Sequence, residues 1–376
     1  MYSRKIILAA LFGLVTAAPK PQRINISALK ELSTPSVLGP DLAAISATAS
    51  SYDPSKAASA AAAAIATDPV TVQKRTVDIH YAKRAACERE PGGTGPIPGD
   101  GTVNDYLAID GPLARAALNA PTPSGYTKSF TNLHGSTQQI GYLTFFTMPG
   151  TDYDVEGCAA RCNSDSYCYA FNIYYERDPA VDPSIDCPNP APATNIKCSL
   201  YGYPVTAGTA TNTGQYRGPP DANGQAFHVV IAGSNGYTKL TATPVPDPLA
   251  NFTGPSELLR GAIDAPLDNG VDTYLGMRLY NDGPYDPTQC AAICEAQNAY
   301  NRATANNATG TYKPCNFFNS YILVKNEVPQ GTYCGFYTRT WGNEYADNVG
   351  YQDGEDVYTI EESYTFFRTV PDSGRL

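Results

Sequence analysis

The stretch YLTFFTMPGTDYDVEGCAARC at residues 142–162 returns without a gap as YLGMRLYNDGPYDPTQCAAIC at residues 274–294. In both copies Tyr-Leu stands sixteen residues before the first cysteine, Tyr-Asp stands five and four residues before it, and the cysteines read Cys-Ala-Ala-x-Cys. So many matches at fixed offsets indicate an internal duplication. The chain is therefore expected to contain two copies of one structural unit.

Each copy continues, after a variable loop, with a strand-like run and a closing cysteine segment. Each copy thus has four cysteines at matching positions. Of the ten cysteines in the chain, only Cys87 and Cys187 lie outside this repeat. The runs are Cys168-Tyr-Ala-Phe-Asn-Ile-Tyr174 and Cys315-Asn-Phe-Phe-Asn-Ser-Tyr321, and the closing segments are Cys198-Ser-Leu-Tyr201 and Cys334-Gly-Phe-Tyr337.

The residues before each cysteine pair predict the start of a helix. Asp154 and Asp286 are good N-cap residues, and in the second copy Pro287 at the first helical position and Gln289 at the third allow a capping box. Cysteines four residues apart then lie on one helical face. The aromatic runs after the third repeated cysteine predict strands. Each unit is therefore expected to be α+β, with a helix stapled across a small antiparallel sheet.

These motifs resemble the PAN/apple fold: a strand, a helix with Cys-x-x-x-Cys, then Cys-x-x-Phe-x-x-Tyr and Cys-x-Leu or its equivalent. The resemblance covers residues 125–235 and 236–370, and it implies two tandem modules at 125–235 and 236–376, each starting at a Gly-Tyr-Thr-Lys motif. A Gly- and Pro-rich segment at 85–124, with a short helix near Leu113–Leu118, is expected to drape over a module. The cysteine pair that joins the ends of an apple module is missing, so the units resemble the smaller four-cysteine PAN type.

The resemblance also implies a disulfide pairing, whereas the sequence alone allows three pairings for each set of four cysteines. The implied pairs are nested within each module, and Cys87 is expected to join Cys187. The whole layout also resembles a group of secreted ascomycete proteins labelled fruit-body specific, a label that names where such proteins are found. The implied nested pairs are Cys158–Cys198, Cys162–Cys168, Cys290–Cys334 and Cys294–Cys315.

Residues 1–17 have the layout of a secretory signal peptide. Arg4 and Lys5 precede an apolar run from Ile6 to Val15, and small residues follow it. The run is too short for a stable transmembrane helix, and no later stretch reaches about 18 uncharged apolar residues. The sequence therefore predicts an extracellular or cell-wall protein without a membrane anchor.

Residues 18–84 are rich in Ala, Ser, Thr and Pro and nearly free of aromatic residues, so they predict a propeptide without a core of its own. Two dibasic pairs close this stretch, and the second is Lys83-Arg84. Lys-Arg before such a change of composition resembles the site of a kexin-type processing protease. The mature chain is therefore expected to begin at Ala85, the alternative being a chance dibasic pair in a flexible arm.

The expected mature part is strongly acidic. The chain has 26 Lys and Arg against 36 Asp and Glu, and after Ala85 there remain 16 and 31, a net charge of −15. Such a surface repels phosphate groups, and it lacks the clustered Lys and Arg that nucleic-acid binding needs. Nucleic acid and anionic membranes are therefore not expected partners.

The expected mature part holds no legible catalytic or metal-binding motif. Its only histidines are His134, in a polar turn, and His228, which lies in an apolar strand and is interpreted as structural. Nucleophile elbows, zinc helices and P-loops are absent from the sequence. An even cysteine count in an oxidising compartment favours disulfides over zinc and over a free catalytic thiol. We therefore expect no enzyme, no cofactor and no metal.

Carboxylates are abundant enough that their number alone does not exclude a glycosidase-type pair. The richest run, residues 353–362, alternates with Tyr351, Tyr358 and Ile360, and this period predicts the solvated face of an edge strand. Oxygen ligands around residues 268–272 do not fit an EF-hand spacing.

Tyrosine, with 27 residues, is the main material for recognition, because its ring joins apolar area to a hydrogen-bonding edge. The repeated tyrosines 142, 201, 274 and 337 are expected to be core. We predict a binding surface in the loops that differ most between copies, above all Glu295–Pro314 and the region of Trp341. Its candidate residues are Tyr174, Tyr175, Tyr300, Tyr312 and Trp341.

Asn251-Phe-Thr and Asn307-Ala-Thr are acceptor sequons for N-glycosylation, both in loops by context. Glycans there would mark faces that point to solvent.

The expected function is non-catalytic recognition of an extracellular polysaccharide or glycoprotein. PAN modules bind proteins or carbohydrates, so the resemblance implies a binding role. Two weak sites on one chain also gain avidity toward a repetitive polymer. Two alternatives stay open: a structural component of fungal cell wall or fruiting tissue, and a secreted enzyme of unrecognised type.

Overall fold

The computed structural model describes residues 39, 52–67, 86–240, 245–305 and 309–376. Residues 1–17, the pair Lys83-Arg84 and the sequon at Asn307 lie outside these ranges, so the signal peptide, the processing site and that glycosylation stay predictions. No helix in the described ranges is long and apolar enough to cross a membrane.

Two antiparallel sheets with few helices form the chain, which confirms the predicted mixture of helix and antiparallel sheet. The first sheet has six strands in the order β1-β6-β3-β4-β2, and the short β5 pairs with β6. Its strands are β1 (Tyr126–Leu133), β2 (Tyr142–Thr147), β3 (Ala170–Pro179), β4 (Pro192–Tyr201), β5 (Gly214–Arg217) and β6 (Phe227–Lys239).

The second sheet repeats this arrangement strand for strand. Its order is β11-β12-β9-β10-β8, and the short β7 pairs with β12 as β1 pairs with β6. The shared topology is what a duplication of one unit predicts. The strands are β7 (Phe252–Thr253), β8 (Tyr274–Tyr280), β9 (Phe317–Lys325), β10 (Val328–Tyr337), β11 (Gly350–Asp353) and β12 (Asp356–Arg368).

The helices that carry the cysteine pairs lie after the first repeated strand of each module. Asp154 caps the first of them, accepting a hydrogen bond from the main-chain N–H of Gly157 at 2.8 Å, as predicted. The short helix expected near Leu113–Leu118 is also present. The helices are α1 (Pro54–Thr67), α2 (Val103–Tyr106), α3 (Pro112–Asn119), α4 (Val155–Asn163) and α5 (Thr288–Ala303).

Helix α5 departs from the prediction at both ends. The capping box is wrong, because Pro287 is the N-cap residue and the side chain of Gln289 donates to the hydroxyl of Tyr52 instead, at 3.2 Å. The prediction of a loop at Glu295–Pro314 is also wrong for the first part of that range, because the helix continues to Ala303. Here the helix-forming residues after the cysteine pair extend the helix beyond the length of α4.

Five disulfides are present, and they join the same cysteines that the resemblance implied. Cys158–Cys198 and Cys290–Cys334 fasten α4 and α5 to β4 and β10, with Cα atoms 5.7 and 5.5 Å apart. Each helix is thereby held against one face of its sheet. The remaining bridges are Cys162–Cys168, Cys294–Cys315 and Cys87–Cys187.

One buried asparagine on the central strand of each sheet joins three pieces of the fold. The amides of Asn172 and Asn319 each donate to a serine hydroxyl and to a main-chain carbonyl of the next strand, at 2.9 Å in every case. Their oxygens accept from the main chain of a crossing loop. Tyr201 and Tyr337 donate to carbonyls of that same loop, so these repeated tyrosines are core, as expected.

The boundary predicted between residues 235 and 236 is wrong. Strand β6 runs through it to Lys239, and it pairs with β1 so that Tyr126 lies opposite Lys239 and Lys128 opposite Tyr237. The second Gly-Tyr-Thr-Lys motif therefore ends the first sheet. The two copies of this motif lie on paired strands of one sheet.

The segment that precedes the first sheet covers it, as expected. The main chain of Gly95 donates to the carbonyl of Thr194 at 2.9 Å, and Asn235 donates to the carbonyl of Ala117 in α3 at 2.8 Å. The hydroxyl groups of Tyr106 and Thr194 lie 2.5 Å apart in the interior. Tyr106 and Leu113 of this segment belong to the core of the first module.

The two modules share a junction. The side chains of Ile140, Tyr203, Ile322 and Val324 form a buried apolar cluster there. Tyr203 also exchanges a hydrogen bond of 3.2 Å with the hydroxyl of Thr332 in β10.

Candidate binding surface

The aromatic residues predicted on the surface are mostly buried. Tyr174, Tyr175 and Trp341 are 0%, 2% and 7% exposed, so the prediction that they present a binding face is wrong. Adjacent strand residues point to opposite faces, and both faces of β3 are covered. The indole of Trp341 donates to the hydroxyl of Thr273 at 3.0 Å and packs in the second module.

Tyr300 and Tyr312 are half-buried and held in place. Tyr300 lies on α5 and packs against the core of the second module. The hydroxyl of Tyr312 donates to the carboxylate of Asp372 at 2.7 Å and accepts from the guanidinium of Arg302 at 2.9 Å. Neither side chain is therefore freely exposed to solvent.

The acidic run at residues 353–362 is only in part a solvated edge. Strand β11 is at the edge, whereas β12 lies between β11 and β9. Glu362 is 8% exposed and accepts a hydrogen bond from Tyr169 of the first module. Burial raises the pKa of the Glu362 carboxyl, while the hydrogen bonds from Tyr169 and Tyr364 oppose that shift. Glu362 is thus a junction residue, not the solvated one predicted.

An exposed aromatic pair stands on β5 and β6 of the first module. Tyr216 and His228 face each other across the two strands, and their rings are stacked with centroids 4.3 Å apart and planes 13° apart. Tyr216 is 69% exposed. Because one face of its ring is covered by His228, the other face is open to solvent. We name this pair the Tyr216–His228 platform.

Two arginines fasten the platform to the module. Arg217, next to Tyr216, bridges the carboxylates of Glu90 and Asp182 at 2.8 and 2.9 Å. Arg177 donates to the carbonyl of His228 at 2.7 Å. The open ring is therefore mounted on well-tied strands and not on a loop.

The pKa of the imidazole in the platform is lowered. Partial burial of His228, and to a lesser degree the positive charge of Arg177, lower the pKa of the imidazole. A lowered pKa favours the neutral form of the ring, which does not attract an anion. The platform therefore favours an uncharged, flat ligand group.

Amide groups lie at one end of the platform. The connection between β5 and β6 is a turn in which Asp221 accepts from the main chain of Asn223 and Gln225, at 2.8 and 2.9 Å. Asn189 donates to the same carboxylate at 3.3 Å. The turn thus places the amide residues Asn223 and Gln225, together with Asn189, at the end of the hairpin that carries the platform.

The second module has no counterpart of the platform. Gly350 begins β11 as Gly214 begins β5, and the main-chain N–H of each donates to the side-chain oxygen of the asparagine two residues earlier. The positions that correspond to Tyr216 and His228 are then Gln352 and Val357, which face each other across β11 and β12. The open aromatic face is thus confined to the first module.

The sequence reasoning missed Tyr216, although it placed His228 in the correct strand. Only the pairing of β5 with β6 brings the two rings together, because ten residues lie between Tyr216 and Phe227 at the start of β6. The signal available in the sequence was Asn-x-Gly, which occurs before β5 and again before β11.

Asn251 is exposed, in agreement with a sequon at the surface. Its φ of 65° places it in a turn just before β7, and its amide donates to Glu295 at 2.9 Å.

The described part of the chain contains no group of three or more His, Cys, Asp or Glu side chains arranged to hold a metal ion, and all of its cysteines are in disulfides. Comparison with protein-family models, with curated proteins and with solved structures found no match for this chain.

Proposed function

We propose that this chain is a secreted, non-catalytic protein that recognises an extracellular polysaccharide or glycoprotein through the Tyr216–His228 platform. The open face of Tyr216, 69% exposed and backed by a stacked imidazole, carries the proposal. A large exposed aromatic face without a packing role is more informative than an exposed aliphatic residue.

The chemistry of the platform suits a sugar ring. The C–H face of a pyranose is flat and weakly positive, so it fits the negative face of an aromatic ring. The amides of the adjoining turn supply donors and acceptors for hydroxyl groups. Because His228 already holds Tyr216 in place, binding orders few side chains, which lowers its entropic cost.

The remaining features support the setting of this proposal. Five disulfides suit an oxidising extracellular compartment, and the exposed Asn251 suits glycosylation. Both arginines beside the platform are tied to the module, and the pKa of its imidazole is lowered. We infer that the two units are tandem PAN-like modules that act without cofactor, metal or turnover.

Retention on insoluble fungal and plant wall polysaccharides, with a glycan array in parallel, tests the proposal. We expect at least one polymer or glycan to bind the purified protein. Tyr216→Ala is expected to weaken that binding by about tenfold or more, as truncation of a central aromatic contact does. Tyr216→Phe is the matched control, since it keeps the ring and is expected to stay within about threefold of the unmodified protein.

Two results would contradict the proposal. One is the absence of any retained polymer or glycan. The other is the release of soluble sugar products by the unmodified protein, which would place it among enzymes.

A further inference from the structure

Helix α1 lies on the second module, although the sequence assigns it to the propeptide. Ala61 and Ile65, one helical turn apart, are 4% and 2% exposed and join the core cluster that contains Ala291 and Ile293 of α5. A segment that is unable to build a core of its own thus completes the core of another unit.

Tyr52, just before α1, is the polar anchor of this contact. Its hydroxyl donates to the carboxylate of Asp286 at 2.6 Å and accepts from the amide of Gln289 at 3.2 Å, both at the start of α5. Its ring meets Tyr167 of the first module edge-on, with centroids 4.9 Å apart. Burial, and after it the charge of Asp286, raise the pKa of the Tyr52 hydroxyl, so the hydroxyl keeps its proton.

The surface under Tyr52 has room for this ring and for little else. A Cβ on Gly283 would lie 2.5 Å from Cε2 of Tyr52, so a side chain at that position displaces the ring. The surface is formed by Tyr167 of the first module and by Gly283, Asp286 and Gln289 of the second. It therefore spans the junction of the two modules.

We propose that residues 52–67 are an internal ligand, which covers this junction surface in the unprocessed chain and is released once the chain is cut at Lys83-Arg84. That pair lies between the segment and the two modules in the sequence. The cut therefore breaks the covalent link between them without removing any residue of the contact. The proposal depends on the dibasic site and is independent of the Tyr216–His228 platform.

Release follows from the size of the contact. In the uncut chain the tether keeps the segment at a high effective concentration beside its surface. Once severed, it binds as a free peptide that loses translational freedom and must order its helix, and helices of this length are marginal in water. We expect these losses to exceed what the contact, centred on Ala61, Ile65 and the Tyr52 hydroxyl, contributes at micromolar concentration.

The experiment uses the full secreted chain, purified before and after cleavage with a kexin-type protease. Gel filtration at micromolar concentration, followed by mass spectrometry, measures how much of the fragment with residues 52–67 stays bound. We expect a loss of about nine-tenths or more of the fragment, as a severed tether implies. Hydrogen exchange at the start of α5 is expected to rise at the same time. A chain with both dibasic pairs replaced by alanine is the control that keeps the segment.

Variants of the uncut chain test the contact itself. Gly283→Ala and Tyr52→Phe are expected to raise hydrogen exchange at the start of α5, because each removes part of the Tyr52 anchor. Ser59→Ala, at an exposed position of α1, is the matched control without effect. A synthetic peptide of residues 52–67, added to the cut protein at millimolar concentration, is expected to restore protection.

Two results would overturn the proposal. A fragment that stays bound in equal amount after the cut, with unchanged exchange in α5, would make the segment a permanent second chain. Loss of the near-ultraviolet circular dichroism signal on cutting would make it an indispensable part of the fold.

Discussion

The face of the sheet opposite the cysteine helix differs between the two modules, although the backbone beneath it is the same. In the first module this face buries an ion pair, Lys197 with Glu176, at 1% and 0% side-chain exposure. At the corresponding positions, counted from the repeated cysteines, the second module has Tyr333 and Leu323. There Tyr333 stacks on Tyr321 with ring centroids 4.6 Å apart.

The comparison separates what the duplicated fold requires from what it tolerates. The cysteine bridges and the asparagine that ties the crossing loop are present in both modules. The residues on the outer face differ, a charged pair in the first module and a tyrosine with a leucine in the second, while the strand order is the same. Burial, followed by the charge of Asp178, raises the pKa of the Glu176 carboxyl, so the charged version of this face carries a desolvation cost that the aromatic version avoids.

Removing one partner of the buried ion pair is expected to cause the largest loss of stability. Lys197→Met leaves Glu176 buried without its partner, and we expect a loss of about 3–5 kcal/mol in the free energy of unfolding. The matched change in the second module, Tyr333→Phe, removes one hydroxyl and is expected to cost about 1 kcal/mol. Urea denaturation of both variants measures the difference. Equal losses would show that the two faces are energetically alike.

Placing the two corresponding residues of the second module into the first is expected to change the stability less. Glu176→Leu combined with Lys197→Tyr removes both charges together, so no buried charge is left unpaired. We expect the double variant to lie within about 1.5 kcal/mol of the original protein, since hydrophobic replacement of a buried pair is often neutral. If the double variant is as unstable as Lys197→Met, the faces are not interchangeable, and the packing around them has diverged as well.

The buried carboxyl of the second module, Glu362, predicts a modest dependence on pH. Its pKa is raised above the ordinary 4.5, so the folded state binds its proton more tightly than the unfolded state does. Its contribution to stability is therefore fully present below pH 4.5 and declines as the pH rises through the folded pKa. The difference in melting temperature between the original protein and Glu362→Gln should fall from pH 4 to pH 7. The exposed Glu355→Gln is the control, and a difference that grows with pH would contradict the assignment.

The parts of the fold that sequence reasoning reached are those with local signals. The cap at Asp154, the cysteines one turn apart and the strand after Cys168 all depend on neighbours in the chain. The burial of Tyr174 and Tyr175 depends on what covers the two opposite faces of β3. The sequence around these two residues gives no information about those covering segments. The same holds for the docking of Tyr52 against Asp286, which lie 234 residues apart.

The candidate surface was out of reach for a related reason. Tyr216 is informative only because its ring stacks on a residue of the next strand while the side chain stays 69% exposed. Exposure and cross-strand stacking depend on how the strands pair. The sequence therefore does not distinguish Tyr216 from the other tyrosines among the 27 in the chain.

The central claim is that recognition belongs to the first module alone, and binding isotherms of Tyr216→Ala and Gln352→Ala on the retained polymer test it most directly. The two positions correspond in the duplicated fold, and both side chains are exposed. The account predicts that Tyr216→Ala weakens binding by about tenfold or more, while Gln352→Ala changes it by less than about twofold. Equal effects of the two changes, or a larger effect of Gln352→Ala, would contradict it.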